Sequence, residues 1–115
     1  MGVEIFYLLL GKHIICDYFL QRAAGYRNKH VYLHMDGVEH AAMHAAGTLL
    51  VLLIFAPVGV AVLLALLDGI THYHVDYFKL RVLGTNAKPL ARTIAILIDQ
   101  AIHLLTYVLI IGVLS

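Results

Sequence analysis

Cysteine is nearly absent from this chain, and that absence already removes several chemistries. Cys16 stands alone among 115 residues, so neither an intramolecular disulfide nor a cysteine zinc cluster can form. Cys16 lies between Ile15 and Asp17 in an apolar stretch and reads as a buried, inert thiol. Charge is scarce as well. Charged residues make up 13% of the chain and the formal net charge is +1. With the basic residues few and dispersed, nothing points to nucleic acid as a partner. The first residues lack a basic start, and Lys12 and His13 interrupt the first apolar run, so no cleavable signal is expected. Low-complexity segments are missing too.

What the chain has instead is apolar surface. Hydrophobic residues account for 62% and the mean hydropathy is +0.87, beyond ordinary soluble proteins, whose apolar share is nearer half. Ala45–Leu67 runs for 23 positions without a charged residue, enough for a membrane span on length alone. Val3–Leu10 and Ile102–Leu114 are also largely apolar. The expectation is a single-domain (1–115), all-α, integral membrane protein with the lipid bilayer as its surroundings.

Within these apolar stretches sit four pairs of polar side chains, each pair four residues apart: His13 with Asp17, His40 with His44, His72 with Asp76, and Asp99 with His103. Positions i and i+4 share one face of an α-helix. The spacing therefore predicts helices over 3–23, 38–55, 60–82 and 89–114, each presenting two polar groups on one side. Gly25 and Asn28 end the first helix, Asp36 serves as N-cap of the second, Gly84-Thr85-Asn86 breaks the third, and Pro89 suits the first turn of the fourth.

Whether Ala45–Leu67 is one span or a hairpin at Pro57-Val58-Gly59 is decided by the pairs. His44 and His40 lie 13 and 17 residues before Pro57, and His72 and Asp76 lie 15 and 19 after it. A hairpin sets the two pairs at nearly equal depth, whereas one continuous helix would separate His44 from His72 by roughly 42 Å. Four helices follow, forming a bundle whose His/Asp pairs converge near one end. Arg22, Arg27, Lys29, Arg81, Lys88 and Arg92 cluster around loops 24–37 and 83–88, while the opposite end carries only Glu4. The positive-inside tendency then puts those loops on the cytoplasmic side of a bacterial inner membrane and both termini outside.

Five His and three Asp are about the number needed for two ions with four protein ligands each. Imidazole with carboxylate and no thiolate suits divalent Zn, Fe or Mn, and bundles build dinuclear centres from inward-facing groups of this kind. Gln21 and Gln100 could orient ligands or cap the polar end. Asp68, one turn before His72, is a candidate general base or a buried acceptor. Lys79 could contact an anionic substrate or snorkel to the interface. His30, His34 and His74 break the spacing and read as loop or surface residues, and Tyr18, Tyr73 and Tyr77 as interfacial belt residues.

Taken together, His13-Ile-Ile-Cys-Asp17-Tyr-Phe-Leu-Gln21 with Lys29, His40 with His44, His72-Tyr-His-Val-Asp76-Tyr-Phe-Lys79, and Asp99-Gln100-Ala-Ile-His103 cover most of the chain. With these motifs it resembles a family of small bacterial and phage membrane proteins catalogued as domain of unknown function 3307. That resemblance implies no activity. More loosely, the chain is similar in style to membrane-bound metal-dependent hydrolases.

Three functions stay open. The first is a metal-dependent hydrolase acting on a lipid-linked or other amphipathic anionic substrate. The second is a non-enzymatic, phage-related membrane protein locked by a structural metal or a His/Asp polar network. The third, a proton or metal-ion conduit, is disfavoured by the apolar outer half at Leu49–Val62 and Leu104–Leu114. The sequence leaves substrate and oligomeric state open.

Overall fold

The computed structural model describes residues 2–20, 29–84 and 87–115. They form four helical elements: α1 (Gly2–Ile14), continued by a π-helical stretch over Ile15–Leu20, then α2 (Met35–Leu52), α3 (Val58–Leu83) and α4 (Pro89–Leu114). Each helix packs against two others, α1 on α2, α2 on α3, α3 on α4 and α4 back on α1. The result is a closed ring of four helices, as in up-and-down bundles.

The expected hairpin is present. α2 ends at Leu52, and Pro57 is the residue before α3, where its fixed φ suits a helix start. Gly84 caps the far end of α3 at φ 63°, a conformation that favours glycine. Pro89 occupies the first turn of α4.

Three sequence expectations need correction. α2 begins at Met35, three residues before the expected start, because His34 rather than Asp36 is the N-cap: its side chain accepts from the Asp36 amide at 3.1 Å. Second, Tyr73 is no belt residue. It is buried, its hydroxyl accepts from the Leu33 amide, and its ring lies 5.7 Å from that of Tyr32. Tyr18 does face outward. Third, α1 does not continue as a regular α-helix through Asp17 but unwinds to the wider i→i+5 pattern from Ile15. The expected helix end at Gly25 and Asn28, the break at Thr85-Asn86, and Gln21, Arg22 and Arg27 lie outside the described residues.

α2 and α3 approach closely because small residues face each other. A Cβ on Gly69 would sit 2.9 Å from the Ala45 Cβ and 3.4 Å from the Ala41 carbonyl oxygen. Small residues that let backbones approach in this way are typical of helix pairs in membranes.

The core has two storeys. Toward the Pro57 turn, Ile5, Leu9, Leu52, Ala61, Leu64, Tyr107 and Ile110 form one buried apolar cluster. Toward the loops, the interior is filled by His and Asp. The outer surface is apolar: Leu50, Ile54, Leu63, Ile70, Leu97 and Val113 are each more than half exposed. Apolar outside with polar inside inverts the soluble pattern. Two helices, α3 and α4, are long and apolar enough to cross a membrane, and the bundle's long dimension of 44 Å is close to the ~40–45 Å of a bilayer with its headgroups.

Candidate metal centre

All eight paired residues meet in one place. Their ligand atoms fall into three overlapping groups: His13, Asp17, His44 and His72; His40, His72 and Asp76; and Asp76, Asp99 and His103. His72 joins the first two groups and Asp76 the last two, so the set is continuous. Seven of the eight side chains are buried, and Asp17 is 21% exposed. The rings of His44, His72 and His103 stack, with centroids 3.6 and 4.0 Å apart, which turns their Nε2 edges toward the carboxylates.

Asp17 reaches this centre from the π-helical stretch. Its Oδ1 lies 2.8 Å from His44 Nε2, 3.1 Å from His40 Nε2 and 3.6 Å from His72 Nε2. Its Oδ2 faces His13 Nε2 at 3.1 Å and accepts from Gln100 Nε2 at 3.4 Å. A π turn inside a helix commonly marks a functional site. Here it carries the carboxylate that gathers rings from three helices.

Asp76 divides its two oxygens. Oδ2 lies 3.1 Å from His72 Nε2 and 3.5 Å from His40 Nε2, while Oδ1 lies 3.8 Å from His103 Nε2. Two lysines back it up, with Lys29 Nζ 3.4 Å from Oδ2 and Lys79 Nζ 3.8 Å from Oδ1. Next to it, Asp99 Oδ1 and His103 Nε2 form a buried ion pair at 2.7 Å, both atoms lacking any other hydrogen-bond partner among the described residues. Buried polar atoms are rarely left unpaired. Here the carboxylate and the imidazole satisfy each other.

The remaining sequence candidates are placed as follows. Gln100 accepts from His13 Nε2 through Oε1 at 2.8 Å and so bridges His13 and Asp17. Lys79 turns inward, its Nζ donating to Asp99 Oδ2 at 2.6 Å. Asp68 is fully buried one layer below, where Oδ2 accepts from Lys12 Nζ at 3.1 Å and from the Thr48 hydroxyl at 2.5 Å. His74 lies on another face, bonded to the Ile70 carbonyl and the Tyr32 hydroxyl, and His30 is exposed. Cys16 is a buried free thiol.

Sequence reasoning passed over Lys12, Thr48 and Tyr107. Lys12 Nζ bonds His44 Nδ1 at 3.1 Å, Asp68 Oδ2 at 3.1 Å and the Tyr107 hydroxyl at 2.8 Å, and that hydroxyl lies 2.9 Å from His13 Nδ1. The signal was available: a lysine inside an apolar segment is expensive unless paired, and Lys12 falls one turn before Cys16, on the interior side. Tyr107 continues the Asp99/His103 face by a further four residues.

A cavity of about 560 Å³ opens beside the centre, bounded by His13, Asp17, Asp76, Asp99 and Gln100 together with Lys29 and Lys79. An apolar groove of about 390 Å³ between α3 and α4 shares Lys79 and Asp99 with it. No curated protein and no solved structure matches the chain. A family model described as a protein of unknown function, DUF3307, matches residues 5–115, and the chain belongs to that family.

Proposed function

We propose that this is a membrane-embedded metal protein whose interior holds two divalent ions, with Asp76 as the bridging ligand. The observation that carries the reading is the split of Asp76: one oxygen faces His40 and His72, the other faces His103 beside Asp99. On the first side, His40 and His72 Nε2 are 3.1 Å apart, and each lies 3.1–3.6 Å from Asp17 Oδ1 and Asp76 Oδ2. Ligand atoms around a tetrahedral ion with bonds of 2.0–2.1 Å are about 3.4 Å apart. On the second side, Asp99 Oδ1 and His103 Nε2, 2.7 Å apart, would supply the ligands. Nitrogen and oxygen donors without thiolate fit Zn, Fe or Mn.

The finer reading is a hydrolase for an anionic amphipathic or lipid-linked substrate. Bound ions would supply Lewis acidity and an activated water. Lys29 and Lys79 at the cavity margin would hold an anionic head group, and the apolar groove that meets the cavity at Lys79 and Asp99 would take the alkyl part. Asp68 is too enclosed by Lys12 and Thr48 for the role of general base, which leaves it as a support for Lys12. The outward apolar surface favours the bilayer as surroundings, and the basic residues near the loops favour a cytoplasmic mouth with both termini outside, in a bacterial inner membrane.

The test is elemental analysis of the purified protein in detergent after loading with zinc, iron or manganese, with two ions per chain expected. No bound metal under any loading would hand the centre to a His/Asp polar network. With metal bound, product release from phospholipid or lipid-phosphate substrates, compared with Asp76→Ala, separates enzyme from structural site. Identical turnover, or none across the panel, would leave a structural role.

A further inference from the structure

Lys12 is the buried cationic side chain that the metal reading leaves without a task, and its bonds run in one direction. Its Nζ faces the Asp68 carboxylate and therefore has hydrogens to give. One goes to His44 Nδ1 and another to the Tyr107 oxygen. Having accepted there, the Tyr107 hydroxyl directs its single hydrogen at His13 Nδ1. A neutral imidazole carries its hydrogen on one nitrogen only. With Nδ1 accepting in both rings, that hydrogen sits on Nε2 in both. The partners agree: His44 Nε2 meets Asp17 Oδ1 at 2.8 Å, and His13 Nε2 meets Gln100 Oε1 at 2.8 Å and Asp17 Oδ2 at 3.1 Å, all acceptors.

The rings of His72 and His103 differ, since among the described residues their Nδ1 atoms have no hydrogen-bond partner. Their Nε2 atoms also face carboxylate oxygens, at 3.1 Å from Asp76 and 2.7 Å from Asp99, but no donor at Nδ1 holds the hydrogen on Nε2, so it can move to Nδ1 and free Nε2 for an ion.

We infer that Lys12 is a positioning residue that sorts the five histidines of the centre. His13 and His44 are held as Nε2–H donors that fix Asp17, and neither ligates an ion. The ions are left to Asp17, His40, His72, Asp76, Asp99 and His103. A carboxylate ligand held by imidazole N–H groups is the kind of outer support that sets ligand orientation and metal affinity. The ligand set rests on the metal reading, whereas the direction of the hydrogen bonds holds with or without metal, so the two can fail separately.

The experiment is nitrogen NMR of the ¹⁵N-histidine-labelled protein in detergent, before and after zinc loading, with metal content measured on the same samples. His13 and His44 are expected as Nε2–H tautomers in both states, and Lys12→Met should release His44 to a mixture of tautomers. At saturating zinc His44→Gln should still load two ions per chain, with affinity lowered about 10–100-fold, whereas His72→Gln should lose at least half of them. A His44 ring carrying its hydrogen on Nδ1 in the native protein overturns the inference, whether or not metal binds. Loss of zinc from His44→Gln as complete as from His72→Gln, in protein that keeps its helical circular dichroism, overturns the ligand set. The native spectrum decides the question even where a variant fails to fold.

Discussion

Near the Pro57 turn the four helices meet through Ile5, Leu9, Leu52, Leu64 and Ile110; near the loops the same helices meet through five histidines and three aspartates. The apolar end is held by shape. Its side chains can shift and refill space, and no single atom needs a particular partner. The polar end is held by direction, because each buried nitrogen and oxygen must find a partner or remain a liability. The helix contacts on one level position the ligand atoms on the other. That division leaves packing to the apolar end and the directed polar contacts to the other.

The sharpest way to break this division is Asp76→Ala. On the proposed reading both ions would share Asp76, so metal content measured by elemental analysis should fall from two per chain to near zero, while the helical content stays. Gly69→Leu tests whether the packing positions the centre. The added side chain would collide with Ala45, move α2 off α3, separate His40 from His72, and cut zinc affinity by an order of magnitude or more in a competition titration. Leu52→Ala, in the apolar storey, should lower unfolding stability by about 2 kcal/mol or more with the metal ratio unchanged, read from denaturant unfolding of the loaded protein. Smallest of all, His74→Ala should leave both metal content and stability within error, since among the described residues His74 bonds the Ile70 carbonyl and the Tyr32 hydroxyl, away from the centre. Equal metal loss in His74→Ala and Asp76→Ala would dissolve the contrast between inside and outside faces.

The sequence alone determined the number of helices, the turn at Pro57 and the eight His and Asp residues that gather in one cluster. It could do so because those facts are local: a four-residue spacing fixes a face, a proline with a glycine nearby fixes a turn, and equal distances from that turn fix depth. What joins the faces is not local. Lys12 bonds Tyr107 across 95 positions, and His44 reaches Asp17 across 27. Only the tertiary structure therefore decided that Lys12 belongs to the site, that Asp68 sits beneath it, and that Tyr73 turns inward. The unwinding that delivers Asp17, and the opposed directions of the two Asp76 oxygens, also came from packing. Spacing along a helix tells which side a group is on, but the hydrogen bond it makes there is set by whatever the neighbouring helices bring within about 3 Å.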